Sequence, residues 1–196
     1  MFGKIINMKN TCLSFLLMMI ASVCCITEMY AQADTRAAAF AAKRQFIAET
    51  VLDKPFHEFK IKNGRQKFTN ESLKGKVVFL NFWFENCPPC RAEFRTLNWL
   101  YKTYKDNPDF EFISVTFENS MTMKRVKNDF ELTFPMYYLP DANCADIIYE
   151  SGYPTNIILD KEGIVRYFNS GGPANEGQAL KYIQMKAQPV IDKYLQ

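Results

Sequence analysis

Histidine is nearly missing from this chain: His57 is the only one in 196 residues. Biological zinc and copper sites draw on His and on paired cysteines, and Cys87 and Cys90 have neither a second Cys pair nor a downstream histidine to complete one. No block of Lys or Arg appears either. The net charge is +3 and the charged residues are spread along the chain, so the electrostatic footprint of a nucleic-acid binder is lacking; proteins fit better than polyanions as partners. Cysteine is also sparse. Cys12, Cys24 and Cys25 lie near the N-terminus, which leaves Cys87, Cys90 and Cys144, too few for the disulfide framework that staples small secreted domains. There is no internal repeat and no low-complexity tract beyond an Ala-rich start and the turn Gly171-Gly172-Pro173.

Long apolar runs are equally scarce, and the one present reads as a leader. Lys4 and Lys9 precede an uncharged stretch, Leu13 to Ile26, and Ala31-Gln32-Ala33 supplies small residues at signal-peptidase spacing. Residues 1–33 are therefore expected to be a secretory signal, with a mature chain that starts at Asp34 outside the cytoplasm, in the periplasm. Thr11 to Thr27 approaches the roughly 20 apolar residues of a membrane span, so an uncleaved leader would serve as an anchor. Cys24 and Cys25, preceded by Val23 and Cys24, fit a lipobox poorly. Residues 34–52 read as a helical extension with Phe40, Ile47 and Val51 on one face. With 48% hydrophobic and 15% aromatic residues, residues 53–196 suffice for one packed domain.

The informative feature is Cys87-Pro88-Pro89-Cys90. In front of it, Val77 to Phe84 is short, β-branched and aromatic, the pattern of a buried strand. Behind it, Phe94, Leu97, Tyr101 and Tyr104 recur at helical spacing. The dithiol is thus expected at a strand-to-helix junction. A helix N-terminus carries unpaired N–H groups and the positive end of the macrodipole, which favour a thiolate at Cys87. Pro88 and Pro89 suit the first turn, where a missing N–H loses no hydrogen bond. Cys87 is then the attacking thiolate and Cys90, one turn in, the resolving thiol; no cofactor is expected.

At these residues the chain resembles a known family. Phe82-Trp83-Phe84-Glu85-Asn86-Cys87-Pro88-Pro89-Cys90-Arg91 is similar to the active-site segment of the exported TlpA/ResA-like thiol-disulfide oxidoreductases of the thioredoxin superfamily. Ser72 to Val78 resembles the approach to their first core strand, Gly152 to Asp160 their cis-proline loop and the strand after it, and Lys161 to Val165 the hairpin that follows. The resemblance covers roughly Asp53 to Gln196. It implies a thioredoxin-like three-layer α/β sandwich with a central mixed sheet and an N-terminal β-hairpin. It implies a cis Tyr153-Pro154 bond in a loop that faces the dithiol, which makes Tyr153 and Pro154 substrate-binding candidates. Reduction of disulfides in exported proteins, apocytochrome c among them, with electrons from a membrane thiol carrier, is the implied activity. Two departures stand out. Asn86 occupies a position that is usually Trp in the family, which makes it a third binding candidate, and Asn81 stands where thioredoxin proper has a buried Asp, so it cannot serve as a base.

Two alternatives remain on the same fold. A soft metal such as copper could use Cys87 and Cys90, and a peroxiredoxin-like peroxidase belongs to the same superfamily but needs a peroxidatic cysteine rather than a vicinal pair. Glu85 is a candidate for proton transfer from the rim. Trp83 is expected to pack under the active-site helix, Cys144 to be a small half-buried hydrophobe, and His57 to lie on the surface of a hairpin. That hairpin is read as Phe56 to Ile61, a turn at Asn63-Gly64, and Gln66 to Thr69. A second core strand is expected over Phe110 to Phe117, a helix through Met123, Val126 and Phe130, extended chain over Leu132 to Leu139, strands at Asn156–Leu159 and Val165–Asn169, and a closing helix from Leu180 to Tyr194 that Pro189 kinks or divides.

Overall fold

A computed structural model describes residues 37–63 and 66–196, with isolated positions before 37 (18, 19, 22, 28, 29, 31, 32, 34 and 35). Most of the expected leader, its cleavage point and the second residue of the Asn63-Gly64 turn lie outside the described residues. The chain divides into two compact units, Met1–Phe46 and Ile47–Gln196. Among the described residues no helix is long and apolar enough to cross a membrane. Residues 37–50 are helical (α1). Ile47 and Val51, read as part of the extension, are buried in the core of the second unit.

That unit opens with a hairpin, β1 (Lys60–Asn63) and β2 (Gln66–Thr69), paired in antiparallel register. The first strand starts later than the sequence suggests. Phe56 to Phe59 is not strand: Asn70 accepts from the Phe59 N–H and donates to the carbonyls of Phe56 and His57, which holds this stretch in an irregular path. His57 is accordingly half-buried rather than on the surface; its ring stacks on Tyr149 with centroids 4.6 Å apart, and burial lowers its pKa. A four-residue helix, α2 (Asn70–Leu73), follows with Thr69 and Ser72 forming a capping box.

The central sheet holds five strands, in the order β5 (Met136–Tyr138), β4 (Phe110–Thr116), β3 (Val77–Trp83), β6 (Thr155–Leu159), β7 (Val165–Ser170). β3 is parallel to β4 and antiparallel to β6, so the sheet is mixed, and every residue of β3 is buried, as a central strand covered on both faces requires. Alternation sorts its side chains. Val78, Leu80 and Phe82 face the hairpin and α5 (Asp141–Ile147). Val77, Phe79 and Trp83 face α3 (Pro88–Tyr104), α4 (Ser120–Asp129) and the C-terminal helices. Three layers result, with the hairpin added to the first.

The closing helix is divided, and Pro189 is the reason. α6 (Glu176–Tyr182) runs into one π-helical turn, Ile183–Ala187, before α7 (Gln188–Leu195), whose first turn contains Pro189. Proline has no N–H to return to the preceding turn and its ring crowds that turn, so the backbone widens there. Ile183, Ala187 and Ile191 stay buried across the change. The start of the unit is tied to its far edge: Asp53 N–H donates to the Val165 carbonyl, and Arg166 pairs with both Asp53 (2.7 Å) and the buried Asp160 (2.6 Å).

Candidate active site

Cys87 caps α3 and Pro88 and Pro89 fill its first turn. The backbone N–H of Cys90 points at Cys87 Sγ, 3.2 Å away. A first-turn amide with no helical partner is thereby spent on the sulfur, the contact that favours negative charge there once the pair is reduced. Here the two cysteines form a disulfide, with Cα atoms 5.2 Å apart. Both are buried. Trp83 packs edge-on against Phe94 of α3, centroids 5.1 Å apart, beneath the dithiol segment.

The other binding candidates gather around this turn. The register pairs Phe82 with Thr155, which puts Pro154 beside the end of β3, where the chain leaves for Cys87. The Tyr153-Pro154 bond is cis. Tyr153 lies edge-on to Phe84 and Phe117, at 5.5 and 5.7 Å, and its hydroxyl donates to Asp141. Asn86 is exposed at the mouth of a groove of about 520 Å³ lined also by Pro88, Arg91, Phe130 and Glu176. Arg91 covers the Phe130 ring there.

Glu85 lies on the rim in an ion pair with Arg125, at 2.5 Å. A different carboxylate occupies the interior. Glu93, one turn beyond Cys90, is 1% exposed, and burial pushes its carboxyl up to about 7, against the opposing effect of a hydrogen bond from Asn156. Positions three apart on a helix stand side by side, about 5–6 Å between Cβ atoms, so Cys90 and Glu93 share the sheet-facing side of α3. Glu93 Oε2 accepts from Asn156 Nδ2 at 3.0 Å, while Oε1 has no hydrogen-bond partner. A Cβ on Gly172 would stand 3.0 Å from Oε1 and 3.8 Å from Pro154 Cγ, so the free oxygen faces Gly172, and Pro154 borders the same glycine. A side chain at that position would crowd Oε1.

Sequence reasoning passed over Glu93 because it sits among charged residues, between Arg91 and Arg95. The signal was there: Cys90, Glu93, Leu97, Leu100 and Tyr104 are spaced three, four, three and four, which places an acid in the apolar stripe. Asn81 is buried as expected, but it is joined to Asn156 and Ser114. Cys144 is fully buried with its Sγ donating to the Leu139 carbonyl, and burial pushes its thiol up to about 12. Among the described residues no group of three or more His, Cys, Asp or Glu side chains gathers as a metal site.

Comparison with known proteins agrees with this geometry. The model of the AhpC/TSA family matches residues 52–168. The thiol-disulfide oxidoreductase ResA of Halalkalibacterium halodurans is 35% identical over 101 residues, 51% of this chain and 57% of that protein. The thioredoxin-like protein YneN of Bacillus subtilis is 34% identical over 110 residues, 54% of this chain and 63% of that one. The chain thus spans about three fifths of the length of these relatives. Among solved structures, a thiol:disulfide interchange protein of the thioredoxin family from Chlorobium tepidum superposes with a TM-score of 0.55 at 21% identity, over 74% of this chain and 97% of that one. The thioredoxin domain of a thiol-disulfide oxidoreductase from Bacteroides vulgatus gives 0.53 at 20% identity, over 69% and 99%. At such identities the structural likeness concerns the fold.

Proposed function

We propose, for a chain that belongs to the AhpC/TSA family as a ResA/TlpA-like member, that it is an exported thiol-disulfide oxidoreductase which reduces disulfides in proteins through Cys87 and Cys90. The observation that carries this reading is a dithiol at a helix start, its outer sulfur met by a backbone N–H, with a buried carboxylate poised near neutrality one turn inside. The Cys87 thiolate attacks a partner disulfide, one partner sulfur leaves as thiolate, and a mixed disulfide forms. Cys90 then loses its proton to Glu93 and attacks Cys87 Sγ, which releases the second partner thiolate and closes the Cys87–Cys90 disulfide. Two electrons pass to the partner, and an external thiol donor, a membrane carrier in our reading, restores the dithiol. Asn86, Tyr153 and Pro154 border the approach to the sulfurs and are the proposed contacts for the partner chain.

Trapping tests this directly. With a peptide that carries one disulfide, reduced Cys90→Ser accumulates a mixed disulfide visible by mass spectrometry, and Cys87→Ser forms none. Equal trapping by both variants overturns the assignment. Peroxide consumption without any thiol partner would move the chain to the peroxidases instead, and tight stoichiometric copper on the purified dithiol form to the metal carriers.

A further inference from the structure

Three polar side chains lie side by side across the α3-facing surface of the sheet, a surface otherwise built from Phe79, Phe112, Trp83 and Ile158. Ser114 of β4, Asn81 of β3 and Asn156 of β6 are in register with one another, and each is at most 1% exposed. Burial of amides and a hydroxyl in such surroundings is costly unless every group is paired. Here they are paired in sequence: Trp83 Nε1 to Ser114 Oγ at 2.9 Å, Ser114 Oγ to Asn81 Oδ1 at 3.0 Å, Asn81 Nδ2 to Asn156 Oδ1 at 2.8 Å, and Asn156 Nδ2 to Glu93 Oε2 at 3.0 Å.

Donor counting fixes the direction of this chain. An indole N–H can only donate, and a hydroxyl has a single proton. Ser114 accepts from Trp83 and so gives its proton to the Asn81 carbonyl. Asn81 therefore turns its NH2 to Asn156, and Asn156 turns its own NH2 to Glu93. No amide in the row can flip without facing like against like. Glu93 Oε2 consequently meets a donor and is an unfavourable place for a proton.

We propose that Asn156, held by Asn81, Ser114 and Trp83, is a positioning residue that confines the exchangeable proton of Glu93 to Oε1, the oxygen beside Gly172. The proposal rests on the reading of Glu93 as the proton acceptor for Cys90. It extends that reading by assigning one oxygen to proton exchange and the other to a fixed anchor, and by giving Ser114 and Trp83 an influence on Glu93 through the two amides. The titratable groups around Glu93 are Cys90 on α3 itself, Tyr167 from β7, whose pKa burial raises, and, beside Tyr167, Tyr182 from α6. The Arg95–Glu176 pair, which joins α3 to α6, is exposed to solvent.

The test measures the Glu93 side-chain carboxyl by 13C NMR across pH in the oxidised protein, with the resonance identified by its loss in Glu93→Gln, and in parallel the decay of the mixed disulfide by stopped flow. Asn156→Ala removes the donor to Oε2, so the Glu93 midpoint should rise by about one pH unit. Resolution should then slow about fivefold at pH 7 and recover at pH 9. Ser114→Ala should shift the midpoint in the same direction by less, and Ser114→Thr, which keeps the hydroxyl, should restore it. A purely structural defect would slow resolution equally at every pH. If Glu93→Gln abolishes the pH dependence while the Asn156 and Ser114 variants leave the midpoint unmoved, the positioning chain is refuted and the Glu93 reading stands. If Glu93→Gln leaves the pH profile intact, both fall. Should Asn156→Ala not fold, the Ser114 pair alone decides.

Discussion

Burial of Glu93 ought to register in the stability of the fold, with a sign and a size that can be stated in advance. In the folded protein its carboxyl is pushed up to about 7 from an ordinary value of 4.5, because the group is almost wholly removed from water. The folded state therefore holds this proton more tightly than the unfolded chain does. Below pH 4.5 both states are protonated and the group costs nothing. Between 4.5 and about 7 the unfolded chain releases its proton first, so stability falls as pH rises, and above about 7 the loss is complete. At about 1.4 kcal/mol per pH unit, the full loss comes to about 3 kcal/mol. Glu93→Gln keeps the shape and the acceptor for Asn156 but cannot ionise. Relative to the parent protein, the variant should therefore gain about 3 kcal/mol between pH 4.5 and pH 8. Urea titrations of both proteins in the disulfide form, at several pH values, give the difference, in which the other titrating groups cancel. A flat difference, or one that shrinks as pH rises, would refute the buried carboxylate as described.

Two further outcomes follow from neighbouring groups. Glu85 is committed to Arg125 on the rim, so Glu85→Gln should leave the pH midpoint of mixed-disulfide resolution in place; a shift as large as that from Glu93→Gln would return the proton-transfer role to the rim. Cys144, buried and with its thiol pushed up to about 12, should resist iodoacetamide at pH 8 in the native protein and react on addition of denaturant, as mass spectrometry of the alkylated chain would report. Alkylation of Cys144 at native rates equal to those of the reduced Cys87 would contradict that burial.

Much of this site was legible because its chemistry is carried by neighbours in sequence. The apolar run before Cys87, the two prolines and the apolar stripe after Cys90 each constrain local backbone, so the strand, the cap and the helix could be read one after another. The short elements were less legible. α2 and α5 contain too few residues for a period to emerge, and the segment over 56–59 has a strand-like composition yet is held out of the sheet by Asn70, eleven to fourteen residues away. Asn81 posed a different problem. Its burial follows from the strand pattern, but its partners lie on two other strands, and nothing in the local sequence of β3 names Ser114 or Asn156. Glu93 combined both difficulties: its stripe position was visible, while the amide that receives it lies 63 residues downstream.

That contrast of distances has a chronological side. The redox pair closes over a separation of three residues, whereas Asn81 and Asn156 are 75 apart and β3 acquires its antiparallel neighbour only when β6 arrives. A chain synthesised only as far as residue 150 already owns both thiols and can oxidise them, yet it has an open edge along β3 and nothing to hold the acid. Pairings of long separation are the slow events of folding, since the intervening loop must be closed before any contact repays it. The pair of thiols is therefore present in the nascent chain early, and the amide that binds Glu93 arrives only with the last quarter of the polypeptide. Under the proposed mechanism, a folding experiment should follow the pairing of β6 with β3, which brings Asn156 to Glu93, as well as the dithiol.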